Sequence, residues 1–492
     1  MYAMHKPMRR LVISLIAVAM VVVAGWIVFQ FVTEQNREIK LAKIKESPSV
    51  AAYNELAARL DRDREDSSAP VSQVEAQRAR ESPVLPDDAE ETIAGYERLF
   101  AHIQESHVQG AQNALGRTGI DIADILRKPS YQWTDADKSK LAEFLSENQD
   151  LIREIHRMAQ QGGPVYPLDF SKGFDIELPH LGQLRQAARL LQADAVVKAG
   201  EGDYSEAVED VIAGMKLGDA VAQEPILISQ LVRIAVYGIM NDAVQQSGRG
   251  EELPPELVSE LLAHAAQADN RAAFAECFTG EQVMGLQAFE GIRSGEIGLD
   301  GLLGMGIGAA APFSDTTTLG QIAGEAFALL YASPLGAPWV NMDESAYADI
   351  MTRVGRAGEL PYYEANPLLM QVEHDVESLP RLRIVSRNLL PALSRACMSQ
   401  ARHEANLDLM QMGLLLEQYE VQHGAYPQSL DAIAPGLGSE LPVDPFTGES
   451  YHYRPSSDSF SLYSVGMNLS DDGGTPPHYM TGDIIWRGVP ER

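Results

Sequence analysis

The sequence predicts a mainly α protein: an N-terminal transmembrane helix, a body of helical hairpins, and a C-terminal α+β unit in which a long helix lies on a small antiparallel sheet. Three observations carry this. An uncharged, almost wholly apolar run covers Leu11 to Val32. From Ile93 to Ala357 apolar residues recur at helical spacing between short Gly, Asp and Pro breaks. Only the last ninety or so residues carry short runs of alternating aromatic and polar residues, the strand signature.

Composition limits the function classes. The chain has 492 residues, 45% of them hydrophobic, with a formal net charge of -30. That length and apolar fraction support real cores. The acidity argues against a nucleic-acid partner, because phosphates would be repelled.

The N-terminal elements follow from charge and length. Residues 1–10 read as a basic N-terminus, whose three leading charges and amino terminus favour the cytoplasmic side, and residues 11–32 read as the anchor. About 22 residues rising 1.5 Å each cross a ~30 Å hydrocarbon core. Trp26 and Phe31 lie toward the distal end, where aromatic rings suit the interface. A cleaved signal peptide is the rival, but Phe29-Gln-Phe-Val32 closes the run where small residues should precede a cleavage point. Lys6, Arg9 and Arg10 precede the span and Arg37, Lys40, Lys43 and Lys45 follow it, so the positive-inside count is nearly tied. No later segment reads as long and apolar enough to return across the bilayer. Residues 33–92 read as a juxtamembrane helix and a flexible linker, since Asp61 to Glu91 is polar, Pro-bearing and free of aromatics.

The helical body spans residues 93–357. Thr134 and Asp137 form an acidic variant of the capping box, with Leu141, Leu145, Ile152 and Ile155 on the apolar face that follows. Helices over Leu181–Val197, from Asp203, and after Pro225 through Met240 are joined by short turns, which implies antiparallel hairpins. The turn Glu201-Gly-Asp-Tyr-Ser-Glu-Ala207 resembles the inter-helix turn of tetratricopeptide repeats, without a sustained period. Gly295 to Pro312 is Gly-rich and apolar; it reads as a packed loop or as a partner-binding or interfacial one. Pro334, Pro338, Pro361 and Pro367 mark an irregular connection, residues 358–397 covering its end and the start of the last long helical region. Cys277 and Cys397 give no disulfide framework and read as two separate buried residues.

Residues 398–492 carry the densest pattern. Leu407, Met410, Leu414, Leu415 and Tyr419 recur at helical spacing. Then come YEVQHGAYP from Tyr419 to Pro427, LPVDPFTGESYHY from Leu441 to Tyr453, FSLYSVG from Phe460 to Gly466, DDGG from Asp471 to Gly474, and GDIIW from Gly482 to Trp486. This succession resembles the C-terminal globular domain of the major pseudopilin of type II secretion systems. The resemblance implies a helix packed on a small sheet, an exported module, and hence a single-pass protein of the bacterial inner membrane with its bulk in the periplasm. It also implies calcium in the loop from Gly466 to Asp483, with Asp471, Asp472 and Asp483 as side-chain ligands, Asn468 next, and the carbonyls of Leu469 or Val465 as further oxygens. The alternative for that loop is a solvated acidic turn. The family's leader motif is not found around Arg9 to Val32, and hundreds of residues separate the anchor from the sheet, so an ordinary filament subunit is not expected.

No phosphate loop, dinucleotide fingerprint, His-Glu-x-x-His helix or Gly-x-Ser-x-Gly elbow occurs. No enzyme is expected, and no small-molecule substrate. The expectation is an envelope protein that binds envelope or secretion proteins, and the bilayer through its N-terminal helix. A periplasmic hydrolase with its site in the helical body is the alternative.

Overall fold

The computed structural model describes residues 26–38 (except 27 and 36), 95–103 (except 102), 122–162 (except 127 and 129), 168, 176–247, 253–304 (except 269 and 270) and 318–486 (except 381, 391, 392, 439, 458 and 477–480). Most of the Leu11–Val32 span, the Asp61–Glu91 linker, the end of the Gly-rich segment after Gly304 and the stretch 477–480 therefore lie outside the described residues.

The protein is mainly helical, with a small three-stranded antiparallel sheet near its C-terminus. Helices α1 (Asp135–Glu147) and α2 (Gln149–Gln161) follow each other directly. The expected capping box opens α1: Thr134 Oγ1 accepts from Asp137 N at 3.1 Å and Asp137 accepts from Thr134 N at 3.0 Å. Helices α3 (Pro179–Glu201) and α4 (Tyr204–Asp219) form the hairpin read from the sequence. Gly202 ends α3 with φ of 87°, a left-handed conformation open to glycine, and Asp203 caps α4 by accepting from Glu206 N. Helix α5 (Leu227–Gln246) crosses both.

Helix α5 corrects one sequence expectation. Among the described residues it is the one helix long and apolar enough to cross a membrane. It is a core helix nonetheless, with Val236, Tyr237 and Met240 at 1% exposure or less. Protein meets several of its polar groups: Arg233 pairs with Asp219 at 2.7 Å, and Gln230 donates to the carbonyls of Val221, Ala222 and Glu224. Length and composition do not separate a buried helix from a span; what surrounds it does.

Helices α6 (Pro255–Ala265), α7 (Arg271–Ser294), α8 (Thr318–Ala332), α9 (Ala337–Gly358) and α10 (Tyr362–Ser378) complete the body, with α7 packed along α9. The stretch expected to be irregular is thus largely helical. Pro338 sits in the first turn of α9, where its missing N–H costs nothing, and Pro361 lies just before α10. Pro367 lies inside α10. No strand occurs among the described residues of the body.

Helix α11 (Leu393–His423) starts five residues ahead of the expected Met398 and runs 31 residues. One side packs on α5, α6 and α10, the other on the sheet, so one continuous core runs from Tyr96 to Trp486. The strands are β1 (His452–Pro455), β2 (Phe460–Ser464) and β3 (Ile484–Trp486), in that spatial order. Tyr453 faces Leu462, and Leu462 faces Trp486. Both cysteines are buried and unpaired. Burial raises the Cys397 thiol to about 12 and pushes Cys277 well up.

One buried acid gives the body a pH dependence. Glu281 on α7 accepts from Leu227 N at 3.0 Å, satisfying an orphan donor at the start of α5. Burial raises its carboxyl from 4.5 to about 7, against the smaller lowering effect of that bond. The native state therefore holds this proton more tightly than the unfolded chain does. The Glu281 contribution is full below the unfolded value and is lost as pH rises through about 7. Stability should fall between about pH 4.5 and 7, and Glu281→Gln, which stays neutral and keeps an acceptor, should flatten that slope. Denaturation midpoints of both proteins across this range decide it; parallel curves would remove Glu281 as the cause.

Candidate functional site

The C-terminal loop is the first candidate, and the structure divides its four predicted ligands. Gly466 with φ of 69° and Leu469 with φ of 57° turn the chain out of β2. Gly473, Gly474 and Gly482 also have positive φ and bring the chain back to β3. Asp483 is fully buried; its Oδ1 accepts from Asp472 N at 3.2 Å and its Oδ2 from Gly474 N at 2.6 Å. Asp472 Oδ2 accepts from Gly482 N at 3.0 Å and from Asn468 Nδ2 at 2.7 Å. Asp472, Asp483 and Asn468 thus share one knot.

Asp471 faces elsewhere. Its Oδ1 accepts from Gly473 N at 2.8 Å and from the Tyr463 hydroxyl at 2.9 Å, and these bonds hold its carboxyl below the usual range. His452 stacks on Tyr463 with ring centroids 4.8 Å apart. Among the described residues no three His, Cys, Asp or Glu side chains gather as a metal group. The fit to calcium is therefore partial: two carboxylates come together, Asn468 meets Asp472 through its Nδ2 while its Oδ1 accepts from Ser470 N at 3.3 Å, and the third carboxylate serves the sheet.

Sequence reasoning missed Asp444, the residue that seats this loop on the sheet. It is 1% exposed, with Oδ1 accepting from Phe446 N at 2.9 Å and Ser464 Oγ at 3.0 Å, and Oδ2 accepting from Val465 N at 3.1 Å. The available signal was Asp444-Pro445-Phe446, an Asx-turn pattern. Pro445 O then accepts from Tyr363 N at 3.0 Å, tying the module to the start of α10.

A second constellation joins the N-terminal helical segment, residues 26–38, to the body. Arg37 donates to Glu344 at 2.8 Å, to Glu290 at 3.1 Å and to Glu34 at 2.6 Å. Arg293 adds a fork to Glu344, at 2.8 and 3.0 Å. Glu344 on α9 is 1% exposed, so both guanidinium groups converge on a buried carboxylate. One turn away, Asn341 Nδ2 donates to Glu34 at 2.9 Å, and Trp26 meets Trp339 edge to face at 5.6 Å.

The third candidate is a cleft of about 360 Å³ between α6, α7, α10, α11 and the Pro442–Pro445 turn. His403, Glu404 and Asp408 line it. Glu404 is engaged by Arg271 at 2.8 and 3.2 Å, and Asp408 accepts from the Tyr451 hydroxyl at 2.7 Å. Burial, helped by Arg233, lowers His403 to about 3, so it stays neutral, and its Nε2 has no hydrogen-bond partner among the described residues. A histidine without an orienting carboxylate, beside two committed acids, lacks the linked chain that general-base hydrolysis uses.

No family model, curated protein or solved structure matches this chain.

Proposed function

We propose that this chain is a single-pass protein of the bacterial inner membrane whose helical body and pseudopilin-like C-terminal module form one periplasmic scaffold that binds secretion proteins. The observation that carries the reading is helix α11, which serves both the body and the sheet, while the N-terminal segment is clasped to the same body through Glu344. Such continuity suits a protein that holds a module at a fixed place near the membrane rather than on a free tether. Further support comes from the motif order after Met398, together with a long helix lying on an antiparallel sheet. The hydrolase alternative loses ground because Glu404 and Asp408 are committed, and His403, lowered to about 3 by burial and without an orienting carboxylate, is a weak base.

The reading is tested in two steps. Protease added to intact spheroplasts should degrade the body while the chain stays with washed membranes; full protection would reverse the topology. Chain purified from those membranes in mild detergent should bring pseudopilins or other secretion-system proteins with it. Recovery of an intact chain with none of them would sink the secretion role and leave only the anchor.

The same reading gives the C-terminal loop a calcium ion, with Asp472, Asp483 and Asn468 as side-chain ligands and chain carbonyls completing an oxygen cage. Calcium at the loop would offset the repulsion between two adjoining carboxylates and stabilise the native state by mass action. The full chain should melt higher with calcium than with chelator. Asp472→Ala should remove that difference, and Asp471→Ala should leave most of it. An unmoved melting curve for the unmutated chain would make the loop a self-satisfied acidic turn.

A further inference from the structure

We infer that the exposed face of α8, together with Leu335, lies against the lipid bilayer as a second membrane contact beside the N-terminal span. This rests on the membrane-anchor reading above and adds a surface to it. Helix α8 exposes Ile322, Leu329 and Leu330, and Leu335 follows in the turn to α9; Ile322, Leu329 and Leu335 are 56%, 57% and 61% exposed. Positions 322, 326, 329 and 330 share one helix face, and that face is Ile, Ala, Leu and Leu. Its exposed polar neighbours are Gln321 and Glu325. At 15 residues α8 is too short to span a bilayer, so it would lie in the interface.

What identifies lipid as the occupant is where the apolar N-terminal chain arrives. Gln30 Nε2 donates to Pro334 O at 3.1 Å, and Trp26 contacts Trp339, so the end of the apolar run is fixed at the corner between α8 and α9. Val28 and Phe31 on that run are 61% and 65% exposed, in line with a surface meant for lipid. The uncharged sequence from Leu11 to Gly25 leads into Trp26, so the segment that would cross the bilayer ends beside Leu335.

Both partners also change from apolar to charged at one level. The N-terminal segment passes from Phe31 and Val32 to Thr33, Glu34 and Arg37; α9 passes from Trp339 and Val340 to Asn341 and Glu344. Hydrogen bonds from Asn341 to Thr33 and Glu34, and from Arg37 to Glu344, hold the two changes side by side. A paired tryptophan at such a boundary is where aromatic rings settle at a membrane interface. With a net charge of -30 the chain gains no attraction from anionic lipid, so apolar burial must drive the contact.

Single cysteines test this in the full-length chain, since Cys277 and Cys397 are buried. Leu329→Cys and Leu335→Cys carry a polarity-sensitive fluorophore, with Phe31→Cys as the span reporter and Ser470→Cys as the water-side reporter. The proteins are reconstituted in phosphatidylcholine vesicles, with and without shallow spin-labelled phosphatidylcholine. The expected result is a blue shift and loss of most fluorescence to the lipid quencher at 31, 329 and 335, none at 470, and no strengthening with phosphatidylglycerol. Quenching at 31 alone would keep the anchor and overturn the α8 contact. Shielding at 329 and 335 without lipid quenching would assign the face to a protein partner or a second copy and overturn it too. Absence of quenching at 31 as well as at 329 and 335 would bring down the anchor reading with it.

Discussion

Glu344→Ala should release the N-terminal segment from the body and expose the bond after Arg37 to trypsin about a hundredfold faster, from a loss of about 3 kcal/mol in local stability. Glu344 is buried, and Arg37 and Arg293 both donate to it within 3.0 Å. Removing one member of a buried ionic cluster leaves the opposite charges desolvated, and such losses run to about 3–5 kcal/mol. The lower end applies here, because Glu290 and Glu34 still meet the two arginines at the exposed edge. Proteolysis at a site that must open first follows the population of the open form when reclosing is fast. Glu344→Gln keeps the acceptor oxygen but not the charge and should fall between. Cleavage after Arg37 at the wild-type rate in Glu344→Ala would mean that the tryptophan pair and Asn341, not the ion cluster, hold the segment.

This clasp was not legible in the sequence. Arg37 and Glu344 lie 307 positions apart, and in a chain with 69 acidic residues no local pattern marks the one that a distant arginine will meet. The helices were legible because their signals are local. The Thr134–Asp137 capping box, the Gly202–Asp203 turn and the apolar spacing of Leu407, Met410 and Leu414 all act within a turn or two of chain. The sheet was legible from the aromatic runs and the turns between them, although β1 begins at His452, after Tyr451. Helix α5 shows the limit of composition: its sequence would suit a bilayer, and only the partners of Arg233 and Gln230 place it in the core. In the C-terminal loop the acidic residues were found, but their division was not. The positive-φ turn at Gly473 and Gly474 leaves Asp471 on Tyr463 while Asp472 joins Asp483, and that depends on backbone path rather than residue type.

Gly413→Ala should loosen the whole C-terminal module, because Gly413 is where Trp486 of β3 lies against α11. A Cβ at that position would fall 2.3 Å from the indole Nε1 and 2.4 Å from Cε2, far inside contact distance. The indole is rigid, 5% exposed, and held by donation from its Nε1 to Glu417 at 3.2 Å, so it can yield only by shifting β3. Overpacking of this kind costs about 1–3 kcal/mol, set against a gain in helix propensity of about 1 kcal/mol on replacing glycine by alanine. The clash should win, seen as a red-shifted tryptophan emission and faster hydrogen exchange across Ile484–Trp486. Trp486→Ala should cost more, about 3–5 kcal/mol, by emptying the same space. The pair separates cause from coincidence: in a Trp486→Ala background the added methyl meets no ring, so Gly413→Ala should become neutral or stabilising there. Equal, additive losses in the single and double variants would mean that glycine serves α11 for some reason other than the approach of Trp486.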